Sequence, residues 1–470
     1  MTPDELWKLP YEEFNKWRRE NDLLKLFECF KTALPHFDDW LSEFNLTTEF
    51  ILSTDQPGEF FYWEKDVYVV KSNDENFAGY FFVHVEDEKH DKKIAEVGKK
   101  QNSEQKKFKP YLIWAKQKLN KEKFINGGHS GEQDTFRYNI YSAPDVPNIS
   151  TATLNVGKQV LKLGGTKVKS WASFTFRNLD FTNLDFLEIE GTFSWSKEIK
   201  VFYSTCRNFK ATNSVGNFIK FYQCHFENLN VIDSRLYWVE FFNCEIFGAY
   251  FENTKLSNIN LDTSSFGRFS FNRVEVENIM YNPPKKQYYT DYAGTCEGIS
   301  ENYKRFRLLF QNNGQRSEAS QSYYFERLYE LKHLWYGSRL KESLTYLRKR
   351  DFKYALSAIS YHVKQLMRAT SYCFSYLVWG FGEKPIRTVL TSFVILLTYT
   401  LIYFFSSIET IGGNFINSFY LSSIMFTTLG FGDFTPLQTG GFKLLLASEA
   451  LLGAFTFGLF IAGYANKAKY

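Results

Sequence analysis

Phe415-Ile416-Asn417-Ser418-Phe419-Tyr420-Leu421-Ser422-Ser423-Ile424-Met425-Phe426-Thr427-Thr428-Leu429-Gly430-Phe431-Gly432-Asp433 is the stretch that decides the C-terminal fold. Phe415 to Thr427 is long enough for a short helix dipping into a membrane, and the negative end of its dipole favours a cation beyond its last carbonyls. In the string that follows, glycines alternate with other residues at Gly430 and Gly432, so the backbone can adopt positive φ there without a steric penalty. Such a chain can turn successive carbonyls to one side as a ladder of oxygen ligands. Irregular backbone at membrane depth is tolerated only where protein or a water-filled path surrounds it, so several chains must gather around this one.

The flanks set the depth. Val389 to Phe405 carries no charge; with Pro385 to Thr388 added it makes a helix long enough to cross about 30 Å of hydrocarbon. Leu444 to Ala465 is a second such run, interrupted only by Glu449. The spans are expected over 386–406 and 442–465, with a re-entrant pore helix over 415–427 and the string over 428–432. Ser406 to Gly441 lacks Lys and Arg, whereas Lys384, Arg387, Lys467 and Lys469 flank the other ends. That bias places both termini on the cytoplasmic side of a cell membrane, in contact with the lipid bilayer.

Thr428-Leu429-Gly430-Phe431-Gly432-Asp433 resembles the selectivity filter of potassium channels, TVGYG followed by Asp. The helix–string–helix layout is similar to the two-transmembrane-helix members of that superfamily, over about Pro385 to Lys469. The resemblance implies that the carbonyls of Thr428, Leu429, Gly430 and Phe431 coordinate K+, with the Thr428 hydroxyl at the inner end. Gly432 completes the string, and Thr427 and Asp433 support it. It also implies a homotetramer, since one chain supplies a quarter of the ring. K+ is then the permeant ion, and no cofactor is expected. Phe431 stands where the family has Tyr and Leu429 where it has Val. A second Gly-Phe-Gly, at Gly380-Phe381-Gly382, lacks the preceding Thr and the short helix, and it serves as an internal control.

Two features of the second span bear on conduction. Glu449 sits in an apolar run, where an acid costs at least a few kcal/mol unless it is paired or faces water. Bonding to the back of the pore helix and attracting cations are equally consistent with its position. Ala450, Ala454, Gly458 and Ala462 recur every four residues and lie on one helix face, with Gly453 beside them. Small residues at this spacing allow close helix packing, or line an inner cavity with Gly453 or Gly458 as the bend. The pore-facing reading is favoured, with Phe455, Phe457 and Phe460 against lipid or the first span.

Upstream, Phe174 to Ile279 repeats with a period of five. Stepping by five from Phe176 meets Phe181 and Phe186, then after a break Phe221, Phe226, Val231, Leu236, Phe241, Ile246 and Phe251. Two residues earlier runs a smaller register, including Cys224, Ser234, Cys244, Ala249 and Thr254. Five is the period of neither helix nor strand, and fixed-period self-similarity calls for a solenoid. Leu179-Asp180-Phe181-Thr182-Asn183 and Leu184-Asp185-Phe186 resemble the pentapeptide-repeat family. That resemblance implies a right-handed quadrilateral β-helix with four pentapeptides to a turn, about five coils in all. Gly191, Ser196, Ala211 and Gly216 break the pattern, so a bulge or loop is expected over 191–216. The stretch 174–279 holds 13 acidic and 10 basic residues, a net of −3. That is too weak for phosphate mimicry and fits a rigid spacer or assembly platform.

The remaining segments are less informative. Helical spacing over Glu5 to Leu41 and alternation over Phe60 to Val85 predict a mixed α/β region, with a turn at Asp55-Gln56-Pro57-Gly58. His84, Glu86, Glu88, His90 and Asp91 fall in a charge-dense stretch that reads as solvated rather than metal-binding. After Pro283-Pro284 the pattern turns helical, and Lys332 to Gly382 carries nine Lys/Arg against Glu342 and Asp351. Such basic residues beside Trp335, Tyr336, Tyr372 and Trp379 suit a helix near an anionic leaflet or a packed basic helix with a wet face.

The chain is thus expected to be multidomain: 1–150 mixed α/β and cytoplasmic, 151–280 a pentapeptide-repeat β-helix, 281–384 a basic helical linker, and 385–470 a potassium-channel pore domain. Over 470 residues, 56 Lys+Arg against 52 Asp+Glu leave +4, too balanced for a nucleic-acid binder. Six cysteines without CxxC spacing argue against zinc and disulfides, and the charged N-terminus is not a signal peptide. No nucleophile–base set, phosphate loop or metal spacing suggests an enzyme. No Arg-rich voltage sensor is present. The expected function is a tetrameric potassium-selective channel gated from its N-terminal cytoplasmic assembly, with an unidentified cytoplasmic ligand or protein as a further partner. A nonselective cation channel and a membrane-anchored repeat scaffold are the alternatives.

Overall fold

The computed structural model describes residues 1–34, 36–61, 66–74, 77–84, 104–118, 160–192, 198–263, 267–283, 292–337, 352–406, 411, 413–429 and 440–469. They form two compact units, Met1–Asp291 and Tyr292–Tyr470. The expected boundary at 150 lies outside the described residues, as do Glu86, Glu88, His90 and Asp91; His84 ends a strand.

In the first unit, five short helices between Pro3 and Ser53 precede a three-stranded antiparallel sheet: β1 (Val67–Asp74) between β2 (Phe77–His84) and β3 (Glu104–Phe108). Local chemistry sets the helix starts. Thr2 and Glu5 form a reciprocal capping box on the first helix, and Thr47 caps the fifth, each satisfying amide groups left open by the helix geometry.

A β-solenoid of about six turns follows. Its parallel strands pair residues twenty apart, as in Val215↔Arg235↔Lys255↔Glu275 and Ile219↔Val239↔Ile259↔Ile279. Every five residues the backbone bends through positive φ, at Tyr203, Asn208, Asn213, Phe218, Gln223, Asn228, Asp233, Trp238 and Asn243. Twenty residues therefore hold four bends. Five of these nine positions are Asn or Asp, the side chains that tolerate the left-handed region best. Between bends, two residues of every five point inward. Phe221, Phe226, Val231, Leu236 and Phe241 are buried, and so are Ile219, Cys224, Leu229, Ser234 and Val239. Small inward groups donate to carbonyls of the preceding turn: Ser204 Oγ to Leu179 (2.8 Å), Cys224 Sγ to Val201 (3.4 Å), Cys244 Sγ to Phe221 (3.3 Å) and Thr254 Oγ1 to Val231 (3.2 Å). The burial of these polar atoms is thereby compensated.

One feature of the expected register is corrected. Phe176, Phe181 and Phe186 are not in the inward column of Phe221 and Phe226; they occupy bends with φ of 66°, 55° and 59°. Their inward counterparts are Phe174, Leu179, Leu184 and Ile189, all buried, whereas Phe186 is 64% exposed. The cause is a longer turn. Asn183 pairs with Thr205 and Glu188 with Lys210, a step of 22 rather than 20, so counting by fives across it slips two residues out of phase. Lys210–Tyr222 is a continuous strand, but its pairing register shifts between Thr212 and Ser214, opposite Glu190 and Gly191, an irregularity inside the expected 191–216 stretch.

The N-terminal helices and the solenoid share one core. Phe27, Phe30 and Phe61 pack on Phe181, which stacks on Tyr203 at 5.3 Å. Around it, Arg18 pairs with Asp22 (2.7 Å) and donates to the carbonyls of Asn178 and Asp180. The Asp180 carboxylate accepts from the amides of Gly58 (2.9 Å) and Phe202 (3.1 Å), and Lys200 pairs with buried Glu59 at 2.8 Å. A β-carbon on Gly58 would stand 2.3 Å from that of Phe202, so only glycine permits this approach.

The second unit opens with a helical hairpin, Tyr292–Asn312 and Arg316–Tyr336, turned at Gly314 with φ +69°. Tyr303 stacks on Phe325 at 5.2 Å, and Arg307 pairs with Glu326 at 2.8 Å. Then come a long helix (Phe352–Trp379), a first apolar helix (Pro385–Phe404), a short helix (Phe415–Phe426) and a second apolar helix (Gly440–Lys469). Pro385–Phe404 and Gly441–Ala465 are long and apolar enough to cross a membrane.

Candidate functional site

The short helix is seated between the two apolar helices by its ends and by one polar node. Asn414 caps its start, accepting from the amides of Ile416 (3.0 Å) and Asn417 (3.2 Å). Ser418, fully buried, donates back to the Asn414 carbonyl. Tyr403, Ile411, Leu421 and Leu446 form the apolar core that joins the three helices.

The node is Glu449, which is fully buried. Tyr403 of the first apolar helix donates to its Oε2 at 2.5 Å, and Ser422 of the short helix donates to its Oε1 at 2.5 Å. Ser422 Oγ also lies 3.0 Å from the Leu396 carbonyl, and Tyr399 bonds Ser448 at 2.8 Å. One carboxylate thus ties all three helices together. Its partners were not singled out from the sequence. The available signal was polarity inside apolar runs: Ser422 in the short helix, and Tyr399 and Tyr403 in the first span.

At the carbonyl end of the short helix the chain tightens into a turn. The amides of Thr428 and Leu429 donate to the carbonyls of Met425 and Ile424, both at 3.1 Å. Thr428 then adopts φ +59°, a conformation that a β-branched residue takes only under constraint. Thr427 donates to the Ser423 carbonyl at 2.6 Å, and Leu429 is exposed. Gly430, Phe431, Gly432 and Asp433 lie outside the described residues.

The second apolar helix meets this turn through Gly453. A β-carbon there would stand 1.9 Å from the Phe426 carbonyl oxygen. Ala454, Gly458 and Ala462 are exposed on the next face, and nothing lies within 4 Å of a β-carbon built on Gly458. Beneath Thr428 opens a cavity of about 580 Å³, lined by Thr427, Thr428, Ala454 and Phe457, with Val389 and Ser392 of the first helix on its far wall. Phe460 lines the same cavity. Phe457 also faces the start of the string, a placement that helix spacing by itself did not reveal.

At the other end of the first apolar helix, the control motif has a structural use. Gly380, Phe381 and Gly382 all take positive φ, at 59°, 59° and 86°. Phe381 is held among Tyr324, Tyr372 and Tyr376, with ring centroids 6.2, 6.1 and 5.9 Å away. Buried Glu383 accepts from Ser320 of the hairpin, and Lys384 lies 3.9 Å above the Tyr324 ring. The hairpin therefore grips the residues that lead directly into the first apolar helix.

Residues 390–469 match the family model described as ion channel. No curated protein and no solved structure matches the chain. The chain therefore joins an ion-channel segment with two apolar, membrane-length helices to a β-solenoid and an N-terminal α/β region.

Proposed function

We propose that this chain is one subunit of a tetrameric, potassium-selective channel whose opening is controlled by the N-terminal helices and solenoid. The observation that carries the reading is the ion-channel match over 390–469, because it brackets the short helix and the string Thr428-Leu429-Gly430-Phe431-Gly432. In this reading, carbonyls from Thr428 to Phe431 of four chains replace the hydration shell of K+. Asp433 and Thr427 brace the string, and Glu449 fixes the short helix from behind. Ala454, Gly458, Ala462 and Phe457 line the inner path, and Gly453 sets how closely the second helix approaches. Both termini are cytoplasmic, the membrane is the cell membrane, and the chain is not an enzyme. The solenoid belongs to the pentapeptide-repeat family and acts as a platform.

Gating input reaches the path through the Ser320–Glu383 contact and the Phe381 cage, which join the hairpin to the first span. Flux from liposomes containing the purified protein tests the reading. K+ is expected to pass well ahead of Na+, and Gly432→Ala is expected to abolish that preference. Equal fluxes leave a nonselective cation channel, and no flux from a folded tetramer leaves a membrane-anchored scaffold.

A further inference from the structure

The helix Phe352–Trp379 has three distinct stripes. Gln365, Ala369, Tyr372 and Tyr376 recur at steps of four and three and face the hairpin; Tyr372 accepts from Arg327 at 3.0 Å, and Ala369 is buried. A second stripe, Lys364, Arg368, Ser371 and Ser375, is polar and basic. Lys364 and Arg368 are exposed, and neither makes an ion pair among the described residues. The third stripe is Val363, Leu366, Met367, Thr370, Phe374 and Leu377. All six are exposed, Met367 at 67% and Leu377 at 61%. Five large apolar side chains in one row, flanked by cations, exceed the scattered exposure normal on a protein surface.

The end of this helix is pinned beside the first span. Arg387 donates to the Tyr376 carbonyl at 2.6 Å, and Thr391 donates to the Val378 carbonyl at 3.5 Å. Thr391 lies six residues beyond Pro385, about 9 Å along the helix. Phe374 and Leu377 thus stand level with the opening turns of the span, whose Ile386, Leu390 and Phe393 are also exposed. The apolar stripe continues the span's lipid-facing surface toward its inner end.

The geometry points to this helix as an interfacial element that lies in an anionic leaflet. Val363 to Leu377 enter the acyl boundary, while Lys364 and Arg368 stay at the level of lipid phosphates. An amphipathic helix with a basic flank binds a bilayer in this way, by apolar burial together with attraction to anionic headgroups. Its long side chains keep their charged tips in the headgroup layer. Because the same helix holds Phe381 and the hairpin, the lipid charge around the protein sets the position of the junction to the first span.

The inference rests on the two apolar helices spanning a membrane but not on what passes between them. Spin labels test it in the full-length chain, with Cys29 and Cys373 replaced by serine, in vesicles of phosphatidylcholine with or without phosphatidylglycerol. Labels at Met367→Cys and Phe374→Cys are expected to collide with oxygen more than with an aqueous nickel complex, Phe374→Cys more so. Ser371→Cys is expected to show the reverse, and Phe393→Cys in the span is the control. Removing phosphatidylglycerol, or introducing K364Q and R368Q together, is expected to move the Met367 label toward water. Nickel-dominated collisions at Met367 and Phe374 overturn the inference. So does shielding from both reagents, which means a protein cover, and so does indifference to lipid charge. A Phe393 label in water would instead remove the membrane reading itself.

Discussion

Gly453 lies so close beneath Phe426 that a β-carbon on it would stand 1.9 Å from the Phe426 carbonyl oxygen. This contact joins the second apolar helix to the last turn before Thr428, the residue that starts the proposed filter. Gly453→Ala forces the two helices apart, and overpacking of this kind costs about 1–3 kcal/mol. The expected result is a lower melting temperature in detergent together with reduced K+ preference. Gly458→Ala, with open space around it, is expected to leave the melting temperature unchanged.

The Tyr403–Glu449–Ser422 node predicts an ordered series. Glu449→Gln keeps a hydrogen-bonding group of the same size and is expected to be the mildest change. Glu449→Leu strands the buried Tyr403 hydroxyl, at a cost of about 1–3 kcal/mol, while Ser422 keeps the Leu396 carbonyl as its acceptor. Tyr403→Phe leaves the acid with one donor and is expected to fall between them. Thermal unfolding of the solubilised protein gives the order, and equal stability of Glu449→Leu and wild type would remove the node's structural role.

Phe457 is expected to matter more than its helical neighbour Phe455. It lines the cavity beneath Thr428, so Phe457→Ala enlarges the approach to the string and is expected to alter the K+ flux rate several-fold. Phe455→Ala is expected to change it little. Liposome flux of the two variants side by side measures the difference.

The shifted register of the solenoid predicts opposite outcomes for two residues two apart. Leu184 is fully buried and Phe186 is 64% exposed. Leu184→Ala is expected to cost about 2–5 kcal/mol as a cavity in a packed core, and Phe186→Ala about 0.5 kcal/mol or less. Denaturant melts of the two variants decide which column points inward.

Stability around Asp180 is expected to depend on pH. Burial pushes its pKa up to about 7, against the opposing pull of the Gly58 and Phe202 amides and of Arg18. Glu59 is also raised by burial, offset by Lys200. A carboxyl whose folded pKa exceeds its unfolded value binds more protons when folded, so stability is greatest below about pH 4 and falls as pH rises toward 7. Asp180→Asn is expected to flatten that slope. Hydrogen exchange of the Asp22–Ala33 helix at pH 5 and pH 7, corrected for intrinsic rates, reads it out.

The pore segment was legible because its signals are local. Long apolar runs gave the spans, and one short string gave the resemblance that the family match bears out at the level of ion channel. The repeat was legible as a period but not in phase, because two extra residues in the turn before Tyr203 leave no mark that counting by fives detects. The partners of Glu449 and the Gly453–Phe426 contact were hidden for a different reason. They depend on how three helices cross, and spacing along one helix carries no information about its neighbour. The N-terminal region was the least legible, since its core is completed by Phe181, Phe202, Tyr203 and Tyr222, residues more than a hundred positions downstream of its helices.

The twenty-residue step of the solenoid makes its length adjustable in whole increments. Removing one complete turn, such as 216–235, leaves every remaining strand facing the same neighbour type, because positions twenty apart are equivalent. The far end, near Asn282, then moves along the axis by one strand spacing of about 4.8 Å without rotating. A deletion of five residues does the reverse, turning everything beyond it by one bend while hardly changing its reach. The module behaves as a ruler graduated in turns and a dial graduated in bends. Evolution can set the distance and the bearing of whatever follows it independently of each other.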